Sequence, residues 1–197
     1  MSDEEIKLSR ALVKRIATKA GADRLSADLY AGITDIYDKV LLEVVKGAIY
    51  VTEGRRAKTV TLGDVRQALR AMKLDVYVNQ EEKYDIPLAT FRRHVRIQSE
   101  EFVAAPNKAR FTADAIHGLR SVVSNYLYRY IRSAAGLKAH SGAKTVDRKD
   151  LRNVHTICAT FPTLVEPTGI PYVNAVPIKK KKKKKKKKAK SKLARSG

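Results

Sequence analysis

Between Asp28 and Gly54 apolar residues recur at gaps of three and four: Leu29, Ile33, Ile36, Val40, Val44, Ala48 and Val51. That spacing lays one oily face along a helix of about seven turns, a rod of ~40 Å that no single small domain buries alone. Ahead of it, Leu8, Leu12, Ile16 and Ala17 mark the apolar side of a shorter helix, with Ser2 and Glu5 as its capping residues. The loop from Gly21 to Ala27 carries Arg24 and ends on Ser26, an N-cap for the long helix. After the rod, Lys58-Thr59-Val60 forms a short β-prone loop. Thr61 and Asp64 then make a capping box for a third helix through Leu62, Val65, Leu69 and Met72. The stretch from Leu74 to Asp85, with its β-prone start, reads as a connector, and the first unit ends near residue 78.

The same plan returns from Pro87. Phe91, Val95 and Phe102 line a medium helix broken at Pro106-Asn107, and Arg110-Phe111-Thr112 is the next loop and cap. Ile116, Leu119, Val123, Tyr126, Leu127, Tyr130, Ile131 and Ala134 form a second long stripe, which Ser141-Gly142 ends. Lys144-Thr145-Val146 then stands where Lys58-Thr59-Val60 stood, and Leu151, Val154 and Cys158 line a closing helix. Each unit therefore reads medium helix, long helix, short helix, an all-α plan. Past Phe161 the pattern stops: prolines at 162, 167, 171 and 177 exclude a continuous helix, and Lys179 to Lys188 is an unbroken lysine run that cannot fold by itself.

Charge narrows the partner. The formal net charge is +21; thirteen bases against Glu166 put +12 of it on residues 161–197 and leave +9 on the rest, so the folded part is itself basic. Such an excess points to nucleic acid or an anionic membrane surface. One cysteine excludes an internal disulfide framework, the acidic N-terminus MSDEEIKLSR has no signal-peptide core, and no apolar run reaches the ~20 residues of a spanning helix. For catalysis little is offered. His94, His117, His140 and His155 have no metal spacing with Cys158, and no phosphate-binding or dinucleotide glycine pattern occurs. No cofactor, no metal and no enzyme activity are expected. The tyrosines fall mainly on apolar stripes and read as core.

A three-helix unit with a long central helix and basic loops at both its ends resembles the histone fold, in which two units clasp head to tail. The segments VKRIATKAGADRLSADLY and AIYVTEGRRAKTVTLGDVRQALR, with Tyr77 beyond, are similar without gaps to core histone H-four over roughly residues 12 to 77. In the second unit, FRRHVRIQSEEF, ARFTADAIHGL and the stretch around HSGAKTVDRKDL resemble histone H-three more loosely, with about three extra residues near Ala104 to Asn107. A fused pair in that order with a lysine tail resembles the histone doublets of giant DNA viruses of the Marseillevirus type. The resemblance implies two tandem histone folds forming an intramolecular handshake heterodimer: residues 1–78, a connector 79–87, residues 88–161, and a Pro-containing extension with a disordered basic tail over 162–197.

It also implies function: wrapping of double-stranded DNA without sequence specificity in nucleosome-like particles, in a virion and in the infected host cell, nucleus or viral factory. Two copies would meet through their H-three-like halves and be flanked by companion doublets resembling H-two-B and H-two-A, with no membrane involved. Arginines entering the minor groove and helix ends meeting phosphate are the histone family's general mechanism. Arg24 and Arg110 match the family's minor-groove positions. Lys58 with Thr59, and Lys144 with Thr145, match phosphate-binding loops, and Lys14, Arg15, Arg93 and Arg96 lie on medium helices facing the duplex. On the residues alone, each arginine or lysine is equally a solvated surface group and each threonine a cap or β former. His140 and Asp150 match the self-association pair of the H-three family, joined by a charge-assisted hydrogen bond, although Ala143 replaces the neighbouring family arginine. The lysine run suits DNA condensation, nuclear import or an anionic membrane. Two competing functions stay open: a histone-fold interaction scaffold of transcription-complex type that does not wrap DNA, and a polycation that coats DNA through its tail alone.

Overall fold

The structure is a computed structural model and describes residues 7–74, 85–102 and 109–160. Six helices follow one another: α1 Arg10–Lys19, α2 Ala27–Gly54, α3 Leu62–Ala71, α4 Leu88–Phe102, α5 Ala113–His140 and α6 Arg148–Thr160. Four two-residue strands lie between them: β1 Arg24–Leu25, β2 Thr59–Val60, β3 Arg110–Phe111 and β4 Thr145–Val146.

The helix starts follow side-chain chemistry. Helix α1 begins later than the Ser2 and Glu5 reading requires, because the Ser9 hydroxyl accepts the Leu12 N–H at 3.2 Å and so supplies the cap itself. Ser2 and Glu5 lie outside the described residues. Thr61 and Asp64 form the expected reciprocal capping box on α3. Thr112 caps α5 by accepting the Ala115 N–H at 3.2 Å. Ser26 occupies the N-cap position of α2, but its hydroxyl donates to Asp28 and makes no cap bond. At α6 Asp147 accepts from the backbone N–H groups of Lys149 and Asp150, at 2.7 and 3.2 Å, while Asp150 accepts the Asp147 N–H at 2.8 Å.

Among the described residues one apolar core joins all six helices. Six of the seven stripe residues of α2, Leu29 to Ala48, are buried, and Val51 is half-buried. Burial also reaches Tyr37, Leu41, Val45 and Ile49, a second stripe, because all five of the other helices contact α2. All eight stripe residues of α5 are buried. Leu151 and Val154 are buried on α6; the side chain of Cys158 lies outside the described residues. Tyr37, Tyr126 and Tyr130 are core as expected, whereas Tyr50 is 57% exposed and Lys46 lies over its ring.

The two units interlock. Strand β1 pairs in parallel with β4, and β2 with β3, so each loop bracketing one unit's long helix is bonded to a loop of the other unit. Positions repeat at a constant offset: Arg24 with Arg110, Gly32 with Gly118, Thr59 with Thr145, Val65 with Leu151. The glycines are functional equivalents. A Cβ on Gly32 would lie 3.1 Å from Leu151 Cδ1, and one on Gly118 would lie 2.6 Å from Leu62 Cδ1, so each long helix seats the other unit's short helix closely. A polar tie reinforces this: Arg148 Nη2 lies 2.6 Å from Asp35 Oδ2.

Candidate nucleic-acid interface

Parallel pairing gathers the four basic loops into two stations. Arg24 and Thr145 are register partners, and the Ser26 N–H donates to the Val146 carbonyl at 3.0 Å. The first station thus holds Arg24 and the start of α2 together with Lys144 and Thr145 of the other unit. At the second, Thr59 is the register partner of Arg110, the Arg110 N–H donates to the Lys58 carbonyl at 3.3 Å and the Thr112 N–H to the Val60 carbonyl at 3.0 Å. That station holds Arg110, the start of α5, Lys58 and Thr59. These residues from four loops form two composite corners, because each strand needs a partner for its backbone groups and finds it in the opposite unit. Arg24, Lys58, Arg110, Lys144 and Thr145 are exposed, and Thr59 is half-buried. Chemically each station offers an exposed guanidinium, an ammonium, a hydroxyl and the N-terminal end of a long helix, a set suited to an anionic backbone.

Both stations have an internal brace that the sequence reading missed. Arg55 Nη2 lies 2.7 Å from Asp64 Oδ2 and its Nε donates to Oδ1 at 2.9 Å, while it also reaches the Thr59 carbonyl at 3.4 Å. The Arg55 hydrogen bond, helped by Thr61, holds the Asp64 carboxyl well below the usual carboxylate range, and Asp64 raises Arg55 in return. In the second unit Ser141 occupies the position equivalent to Arg55, and Lys138, one turn earlier, takes over: Nζ lies 3.4 Å from Asp147 and 3.3 Å from Asp150. Asp150 raises Lys138; burial alone would raise Asp147, but the N–H groups of Lys149 and Asp150 and the Lys138 charge carry it lower. The signal for the first brace was an arginine nine residues before a capping-box aspartate. The second had no simple sequence signal.

The medium-helix candidates separate. Lys14 is exposed on α1. Arg15 donates to the Asp85 carbonyl at 2.8 Å and its Nε lies 3.0 Å from the Asp85 carboxylate, which Lys19 also meets at 2.9 Å. It therefore ties the end of the connector to α1. Arg93 and Arg96 are both exposed on α4; Arg96 lies 3.7 Å from Glu100. None of these four lies in a strand pair of the stations. His140 is exposed at the end of α5, while Asp150 is buried and takes Lys138 and the Asp147 N–H within the chain. Among the described residues no cluster of three or more His, Cys, Asp or Glu suits a metal ion, and no helix is long and apolar enough to cross a membrane.

No family model matches the sequence. Among solved structures the chain is similar to the histone from Methanopyrus kandleri, with a TM-score of 0.56 and 22% identity, over 75% of this chain and 93% of that one. The chain has a histone fold. The likeness covers more of the sequence than either three-helix unit alone provides, in keeping with one core across both. An identity of 22% carries the histone fold's backbone arrangement and leaves the surface chemistry to be argued from the residues.

Proposed function

We propose that this histone-fold chain is a doublet, residues 1–78 and 88–161 clasped in an intramolecular handshake, that wraps and compacts double-stranded DNA without sequence specificity in nucleosome-like particles. The observation that carries this reading is the strand pairing that sets Arg24 beside Lys144-Thr145 and Arg110 beside Lys58-Thr59. Two equivalent basic stations, related by the internal repeat, suit one smooth DNA path; arginine fits a narrow, negative minor groove and the helix starts receive phosphate. No base-reading element is needed, since charge and DNA deformability supply the affinity. Lys14, Arg15, Arg93 and Arg96 would add phosphate contacts along the path, Arg15 only by sharing Asp85.

Within the same reading, two chains join through their second units, His140 of one approaching Asp150 of the other, and companion doublets flank them. The lysine run Lys179–Lys188 binds outer DNA, and the particle serves genome packaging in a virion. Reconstitution on long DNA followed by nuclease digestion tests the proposal. A protected fragment of defined length is the expected result; a smear with full binding would favour coating by the tail, and no protection at all would favour a protein-interaction scaffold.

A further inference from the structure

The internal repeat raises a question of pairing. Two units of one plan can in principle clasp in three ways: first with second, first with first, and second with second, the last two between chains. Each clasp has two seams in which a medium helix lies on the other unit's long helix. Here α4 packs on α2 and α1 packs on α5, and the two seams differ in chemistry. On α1 the buried positions are Leu12, Val13, Ile16 and Ala17. The same spacing on α4 holds His94, Val95, Gln98 and Ser99, all buried. On the long helices the positions equivalent to Tyr37 and Asp38 are Val123 and Ser124.

Two polar pairs bridge the α2–α4 seam. The Tyr37 hydroxyl and His94 Nδ1 are 2.7 Å apart, with the rings edge to face at 5.5 Å, and Gln98 Nε2 donates to Asp38 Oδ1 at 2.6 Å. Tyr37 is wholly buried and His94 only 6% exposed. Burial pushes Tyr37 up and His94 down, so both stay neutral near pH 7, and the two share one hydrogen bond whose direction follows the His94 tautomer. Gln98 Oε1 has no hydrogen-bond partner among the described residues. A seam that leaves a buried acceptor unsatisfied is not built for greatest stability.

We infer that the Tyr37–His94 and Asp38–Gln98 contacts are a pairing code that restricts the first unit's α2 to a partner carrying the second unit's α4. In a first-with-first clasp Tyr37 and Asp38 would face Leu12 and Ile16. In a second-with-second clasp His94 and Gln98 would face Val123 and Ser124. Every seam of the wrong clasps buries a polar group without its partner, and no seam of the right one does so at Tyr37 or His94. Selection by penalising the alternative is how closely related interfaces are told apart. This inference rests on the two-unit geometry and holds whether or not the chain wraps DNA.

Full-length variants reproduce the wrong seams within one chain. His94→Leu with Gln98→Ile presents α2 with an α1-like surface, and Tyr37→Phe with Asp38→Ser presents α4 with a seam lacking its partners. In urea unfolding each pair should raise the unfolding constant roughly five- to a hundredfold, the cost of an orphaned buried polar group. The four-residue variant should recover most of the loss. It should also mispair. With Cys158→Ser, Arg110→Cys and Thr145→Cys, the two new cysteines become strand partners only between chains in a second-with-second clasp. Mild oxidation after refolding at high concentration should then give several-fold more covalent dimer in the four-residue background than in the native seam. Additive losses, equal dimer yields, or failure of the four-residue variant to fold would each overturn the code, the last because the α1–α5 seam already works without these polar groups.

Discussion

Single residues divide into those whose role is set by a near neighbour and those set by a distant one. Thr61 and Asp64 are three apart, so their capping box was legible as letters; the Arg55 brace on Asp64 was within reach of the same reading. Asp64→Ala should remove the cap and free Arg55, destabilising the fold by about 1–2 kcal/mol in urea or thermal unfolding. Since the Asp64 carboxyl is held below its ordinary value, its contribution is complete above about pH 4 and is lost as the pH falls below that. By contrast Tyr37 read correctly as core, but its hydroxyl partner His94 is 57 residues away, and Arg148 meets Asp35 across 113. No local pattern encodes such contacts. At the DNA stations Arg24→Ala and Arg110→Ala should leave the unfolding midpoint within experimental scatter. Each should lower the slope of log affinity against log salt by about one, measured by titration at several salt concentrations.

Elements were the most legible scale. The long helices were placed by apolar spacing, and their observed bounds, Ala27–Gly54 and Ala113–His140, follow the caps and breaks that the letters supply. Helix α1 starts at Arg10 because the Ser9 hydroxyl accepts the Leu12 N–H and caps it there. Burial on α2 extends beyond the expected stripe, because one stripe suffices for one neighbour while this helix has five. Helix α4 has a property that periodicity hides: its inner face holds His94, with Arg93 beside it on α4 and Asp38 with Tyr37 across from it on α2. Because His94 is lowered in the fold, the unfolded chain takes up protons first. The seam's contribution is full above about pH 6.5 and erodes as the pH falls through that value toward the folded-state pKa. The protection factors of α4 amides, with the intrinsic base-catalysed rate divided out, should fall between pH 7 and pH 5, and Tyr37→Phe with His94→Leu should abolish that dependence. The comparison belongs in a His155→Gln background, since His155 is also lowered by burial.

For the whole molecule, the sequence repeat announced two units, but not that their loops cross-bond into composite stations; that follows from satisfying backbone groups in three dimensions. The folded part keeps a net charge of +9 without residues 161–197. A chain ending at residue 178 should therefore still assemble on DNA and protect it from nuclease, with a shallower salt dependence than the full chain. The cross-bonding also has a consequence during synthesis. Strand β1 at Arg24 waits for β4 at Val146, and at ~5–20 residues per second that interval of roughly 120 residues lasts about 6–24 s. Until α4 and α5 emerge the first rod has only its own unit's helices to cover it, while neighbouring ribosomes on the same messenger hold identical rods. A nascent chain in this position needs either a chaperone over α2 or a surface that dislikes its own twin.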